Sequence, residues 1–332
     1  NPYILDNLSQ INDSPVELGF VYPPITLSLF KLFTIFDVRT ATYLFLLLKL
    51  VALAGLFYLW RRWFLDRPID LLFLIFCIFA FREAILLDLR AGNISIFEQL
   101  ALWTGFVMWR KNRLLLFTVL IVIVSLFKGT PILFLGLLLF TDQPKARVHL
   151  IGGVIIFAML HIASYVFQPD WFISFFDAAS KIDERGIVNP SSLSLIQDII
   201  DKFTSFTGID VPNIISMIVY AISALIVVYI AWRLIKSMPQ TDRRIIGLFI
   251  FCLTYALIVP RFKDYSYILL IVPTYYIIKK QRIFSSSQIL LICIILFTQS
   301  FIIIRDYASF LAVFSVWLMG ILTVRSDQPE MK

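Results

Sequence analysis

A chain of 332 residues that is 60% hydrophobic and 15% charged carries more apolar surface than a soluble fold of that length can bury, so a soluble globular domain is excluded. The net charge of +7 is spread over many short basic runs and forms no concentrated basic and aromatic patch, which excludes nucleic acid as a partner. The pattern predicts an all-α polytopic membrane protein, 1–332 being one integral membrane domain.

In chain order, the segment 1–38 carries Asp6, Asp13, Glu17 and the rigid helix entry Tyr22-Pro23-Pro24. Apolar spans follow near 39–60, 69–86, 94–109, 114–127, 131–141, 148–167, 214–235, 245–260, 266–278 and 287–304, with an eleventh at 308–324. The spans 114–127 and 131–141 are each shorter than the roughly 17 to 25 residues of a full crossing. They read as two spans; one long helix with Lys128 facing an interior cavity is the alternative. The opening residues read as the interior of a longer protein, with a helix and loop expected upstream.

Charge sets the sidedness. If Arg61-Arg62 is cytoplasmic, strict alternation places Arg110 to Arg113, Lys145 and Arg147, Arg233 to Arg244, Lys279 to Arg282, and Arg325 with Lys332 on the same side, which then holds the majority of the 29 Lys and Arg. The opposite, extracytoplasmic face receives 1–38, the turn from Arg82 to Asn93, Lys128, a long loop 168–213, the turn Arg261 to Tyr265 and Arg305-Asp306. The plasma (bacterial inner) membrane with outward-facing chemistry is the expected setting, and membrane lipids are expected neighbours. In the long loop, Leu195, Ile196, Ile199, Ile200 and Phe203 form a helical stripe, suited either to the membrane surface or to packing against other loops.

Two short spans end in cationic turns, 114–127 at Lys128-Gly129-Thr130-Pro131 and 245–259 at Pro260-Arg261-Phe262-Lys263-Asp264-Tyr265, and an apolar span resumes after each. Ionisable groups held at that depth are costly and mark functional positions. The chain has no Asp-x-Asp, Walker loop, GxGxxG, HExxH or CxxC. Cys77, Cys252 and Cys293 lie in apolar spans, and His149 and His161, twelve apart, read as structural. No metal or cofactor is expected.

Asn1-Pro2-Tyr3, Phe20-Val21-Tyr22-Pro23-Pro24, Arg90-Ala91-Gly92-Asn93, Lys128-x-x-Pro131 and Pro260-Arg261-x-x-Asp264-Tyr265 leading into Pro273 form an ordered series. It resembles the landmarks of glycosyltransferase family 87, polyprenol-phosphate-dependent mannosyltransferases and relatives of the GT-C superfamily. The resemblance implies a GT-C-like bundle of about ten to eleven transmembrane helices with its site among extracytoplasmic loops. It also implies inverting transfer of a hexose, mannose by analogy, from a polyprenyl-phosphate donor to a hydroxyl of a glycolipid or glycan acceptor. The chain departs from the family pattern at Gly92-Asn93, where Gly-Gln is usual, and at Lys263-Asp264-Tyr265, where a histidine-bearing motif is usual.

A lipid-phosphate donor calls for cations at headgroup level, and Lys128, Arg261 and Lys263 fit that need; snorkelling to headgroups is their plain alternative. Tyr22, Arg90, Asn93 and Tyr265 are the substrate-binding candidates, with Asn93 equally suited to capping a helix. Transfer also needs a base. Among Asp6, Asp13, Glu17, Glu83, Asp88 and Asp264, ion pairing is the plainer role: Asp264 with Lys263 or Arg261, and Glu83 and Asp88 with Arg82 and Arg90. The family pattern places its acidic residue upstream of Asn-Pro-Tyr, so the base is expected before Asn1, with Asp264 and Glu83 as the local candidates. A lipid-linked saccharide flippase and an oligosaccharide ligase or polymerase are the competing classes. The first would show paired half-helices and an inverted repeat, and the second would use a pyrophosphate donor.

Overall fold

The computed structural model describes residues 22–65, 70–180, 184–280 and 305–326, with Ile292 and Ile295 between the last two. Asn1-Pro2-Tyr3, Phe20-Val21, the carboxylates Asp6, Asp13 and Glu17, Cys293 and nearly all of the expected span 287–304 lie outside the described residues.

Every regular element among the described residues is helical. A run of short turns from Pro24 to Ile35 precedes α1 (Val38–Trp63), α2 (Leu71–Ala91), α3 (Ser95–Arg110) and α4 (Leu114–Lys128). A 3-10 helix (Thr130–Phe140) then leads to α5 (Ala146–Phe167), α6 (Pro169–Ser180), α7 (Ser192–Thr207) and α8 (Asn213–Ser237). A π turn (Arg243–Gly247) opens α9 (Leu248–Ile258), a second 3-10 helix (Asp264–Leu270) opens α10 (Ile271–Lys280), and α11 (Ala308–Ser326) closes the described chain.

Among the described residues, three helices, α1, α5 and α8, are long and apolar enough to cross a bilayer. Their outward faces are apolar: Val51, Ile155 and Leu225 are all well exposed, as lipid-facing side chains are. By contrast α9 is buried from Leu248 to Ile250 and from Cys252 to Leu257, so an element apolar all round sits inside the bundle.

The chain forms two compact units, one from Asn1–Val51 and Ala101–Asp183, the other from Ala52–Leu100 and Glu184–Lys332. In the first, α4 and the 3-10 helix are separate elements. Gly129, at φ +70°, ends α4 in a backbone region that favours glycine, and Pro131 starts the next helix. The expected division at Lys128 is thus the observed one. A 3-10 rise of about 2.0 Å carries a short segment further than an α-helix of equal length.

Helix α5 packs on both elements through Gly153, where a Cβ would lie 2.7 Å from Thr118 Cγ2 and 2.8 Å from Leu135 Cδ1. In an open helix, glycine to alanine gains about 1 kcal/mol. Here Thr118 and Leu135 are both buried and overpacking costs about 1–3 kcal/mol, so Gly153→Ala is expected to lower the midpoint of thermal unfolding in detergent.

In the second unit, α2 is capped by Asp70, whose Oδ1 accepts from Phe73 N and Tyr275 Oη, each at 2.8 Å, and whose Oδ2 accepts from Lys279 Nζ at 2.9 Å. Helix α2 is broken midway. Ala80 is extended (ψ 145°) and Phe81, Arg82 and Glu83 are left-handed, at φ +52°, +61° and +60°. Each such non-glycine residue costs about 1–2 kcal/mol. Packing holds the break: Phe81 is fully buried, 5.2 Å from the Tyr267 ring, and Arg82 Nη1 donates to Ile187 O at 2.9 Å. Helices α9 and α11 are joined by Trp317 Nε1 donating to Thr254 Oγ1 at 3.0 Å.

Candidate functional site

The chemistry gathers in the second unit, where α9 ends. Val259 leaves the helix in extended conformation, and Pro260 to Lys263 run as a strand-like turn until the 3-10 helix starts at Asp264. Such a segment satisfies none of its own polar groups, and a strap formed by residues 184–191 does so instead. Phe262 N donates to Asn189 Oδ1 (2.8 Å), Ser191 Oγ to Pro260 O (2.7 Å) and Tyr267 Oη to Pro190 O (2.9 Å). Asn189 Nδ2 also bonds Glu184 O and Ser194 Oγ, each at 3.0 Å, and Ser191 caps α7. Gly186 N donates to Tyr307 Oη at 3.3 Å, and the Tyr307 hydroxyl donates in turn to Asp198 Oδ2 at 2.5 Å.

The strap delivers Glu184. Its Oε2 lies 2.6 Å from Arg261 Nη2 and its Oε1 2.7 Å from Lys263 Nζ, so one carboxylate holds both cations of the turn. Burial pushes Glu184 up, yet the hydrogen bonds and charges of Lys263 and Arg261 outweigh it and leave the carboxyl below its ordinary value. For Lys263, burial pulls the ammonium down, against the stabilising Glu184. Arg261 remains about one-third exposed and turns a single Nη2 bond to Glu184, which leaves other guanidinium donors for a further anion.

Asp264 does not pair with Lys263 or Arg261, because Glu184 takes both. Its Oδ1 accepts from Tyr265 N at 2.8 Å, and burial pushes its carboxyl above the ordinary value; that bond and the Arg82 and Lys263 charges oppose the shift, and Glu184 adds to it. The Asn93 side chain reaches the Tyr265 phenol, which burial pushes up. Asn93 also accepts from Ile94 N at 2.8 Å, a bond to its own neighbour and not to the first turn of α3.

Arg82 bonds the Ile187 carbonyl, Asp88 is fully buried and accepts from Ser95 N at the start of α3 (3.2 Å), and Arg90 is exposed. Glu83 is half-buried beside Arg82 in the left-handed break. The second unit therefore joins Asn93, Tyr265, Arg261, Lys263 and Asp264, with Arg82 and Glu184 added. Tyr22 and Lys128 belong to the first unit; there the Tyr22 ring stacks on Phe30 (6.0 Å) and meets Phe127 edge-on (6.3 Å), and Lys128 ends α4.

Sequence reasoning missed Glu184. It stands in the run Asp183-Glu184-Arg185, and its partners are 77 and 79 residues away. The available signal was Asn189-Pro190-Ser191-Ser192, a turn and N-cap directly before an amphipathic helix, which marks 184–191 as an ordered connection.

Compared with known proteins, residues 20–260 match the family model of glycosyltransferase family 87. No curated protein and no solved structure matches the chain.

Proposed function

We propose that this chain, which belongs to glycosyltransferase family 87, is a membrane glycosyltransferase that moves a hexose, mannose by family analogy, from a polyprenyl-phosphate donor to an acceptor hydroxyl with inversion. The observation that carries the donor assignment is the convergence of Arg261 and Lys263 on the single carboxylate of Glu184. Two cations on one anion leave a net positive charge, and the donors of Arg261 and Lys263 not used by Glu184 suit a singly charged phosphodiester. Glu184 fixes the direction of both side chains before the donor arrives. Asn93, Tyr265 and Arg90 bind sugar and acceptor, the acceptor being a glycolipid or glycan. The test is transfer by the purified protein in liposomes: polyprenyl-phosphate mannose is expected to serve as donor, and transfer from a nucleotide-linked mannose without the lipid carrier would overturn the reading.

The site faces the extracytoplasmic side, because the basic connections collect at the other ends of the helices. A cysteine at Ser180, at the end of α6, should react in intact cells with a membrane-impermeant maleimide, and one at Gln240 should not. The reverse pattern would invert the topology.

A further inference from the structure

A second polar site lies in the first unit, where two connections meet at the opposite ends of its helices. A cavity of about 590 Å³ opens between the turn joining α3 to α4 and the start of α5, lined by Arg113, Gln143, Lys145 and His149 together with Leu115 and Leu116. No acidic side chain lines it; Asp142, the nearest acid in sequence, is not part of the wall. Arg113 is the N-cap of α4 and Lys145 the N-cap of α5, and neither helix has a side-chain cap. Cations at these positions oppose two helix dipoles and accept nothing from the free N–H groups of either first turn. An anion between them relieves both defects.

The wall is two-sided in polarity. In the same wall as the cations, Leu115 is 62% exposed and Leu116 is exposed as well. A free inorganic anion has no use for that surface, whereas an acyl chain does. We propose that this cavity binds the headgroup of an anionic phospholipid, its phosphate between Arg113 and Lys145 and its chains against Leu115 and Leu116. The cavity faces the leaflet on the basic side of the protein, and it takes a lipid different from the donor of the proposed transfer. Basic pockets between membrane helices suit such headgroups, and each Lys or Arg near the surface is worth about 1 kcal/mol.

Native mass spectrometry of the full chain in neutral detergent tests this, with phosphatidylglycerol and phosphatidylcholine as probes. The wild-type protein is expected to retain one phosphatidylglycerol in preference to phosphatidylcholine. Arg113→Gln/Lys145→Gln should retain it at least about tenfold less well. Arg61→Gln/Arg62→Gln, which removes a basic pair outside the cavity, should bind as wild type, and Arg113→Lys/Lys145→Arg should restore retention. Lys145→Gln alone, at an exposed side chain, gives the same readout with the least risk to folding and should lose about threefold or more. Equal retention by the cavity variants and wild type would overturn the proposal, as would equal retention of the two lipids. Displacement of phosphatidylglycerol by millimolar inorganic phosphate would also overturn it, since the cavity would then be a site for a free anion.

Discussion

Arg261→Ala is expected to weaken binding of the polyprenyl-phosphate donor by about 2–5 kcal/mol, a loss of roughly thirtyfold to several thousandfold. The magnitude follows from removing one partner of a partly buried charge group: Glu184, 14% exposed, would keep Lys263 as its one remaining cation in the turn. The substitution removes no core packing side chain, so circular dichroism and thermal midpoint should change little. Unchanged donor affinity in this variant would assign Arg261 to lipid headgroups. Glu184→Gln separates holding the cations from binding the donor. It removes the competing negative charge, so donor KM should hold or fall, while loss of the clamp should lower kcat by about tenfold to a hundredfold through misplacement of the phosphate.

The same clamp has an acid limit. Because Glu184 sits below its ordinary value when folded, its contribution to stability is fully present above the unfolded carboxyl range and is lost as pH falls through the folded value. Arg261 and Lys263 would then repel each other across a neutral partner. Turnover of the wild type should therefore fall towards that of Glu184→Gln as the pH drops through that value, and turnover of Glu184→Gln should fall less over the same range.

The helical class, the division at Lys128 and the cationic turn after α9 are legible in the sequence because each is written locally. Gly129-Thr-Pro131 cannot continue an α-helix, and Pro260 ends one. The amphipathic stripe from Leu195 to Phe203 likewise becomes α7. The break in α2 was not legible. Phe81-Arg82-Glu83-Ala84 contains no glycine or proline, and its left-handed turn is held by Phe81 against Tyr267 and by Arg82 on Ile187, contacts set 186 and 105 residues away in a fold the local pattern does not describe. Pairing was misread for a similar reason. Neighbours such as Lys263 and Asp264 look like natural partners in sequence, but adjacent side chains project in different directions, and the partner came from a distant strap.

The base remains the sharpest question. Asp264 has what a base would need in part: a buried carboxyl raised above its ordinary value, beside Arg82 and Lys263 and next to Tyr265, whose phenol meets Asn93. Its Oδ1 is already engaged by Tyr265 N, however, and its surroundings are those of a residue that orients the cationic turn. Glu83 sits on a left-handed residue, where a side chain costs about 1–2 kcal/mol, an arrangement that strained functional positions tolerate. Because Asp264 is already bonded to Tyr265 N and Glu83 sits beside Arg82 in the left-handed break, Asp264→Asn and Glu83→Gln are each expected to lower turnover by no more than about tenfold, against the 10² to 10⁴-fold, in round order of magnitude, that removing a general base produces. Glu83→Gly adds a second readout. Glycine relieves the positive φ, so the variant should gain about 1 kcal/mol in stability while keeping most of its activity if the carboxylate only orients. A collapse of turnover confined to Asp264→Asn, with donor affinity intact, would make Asp264 the base and place the whole proton transfer inside the turn that binds the phosphate.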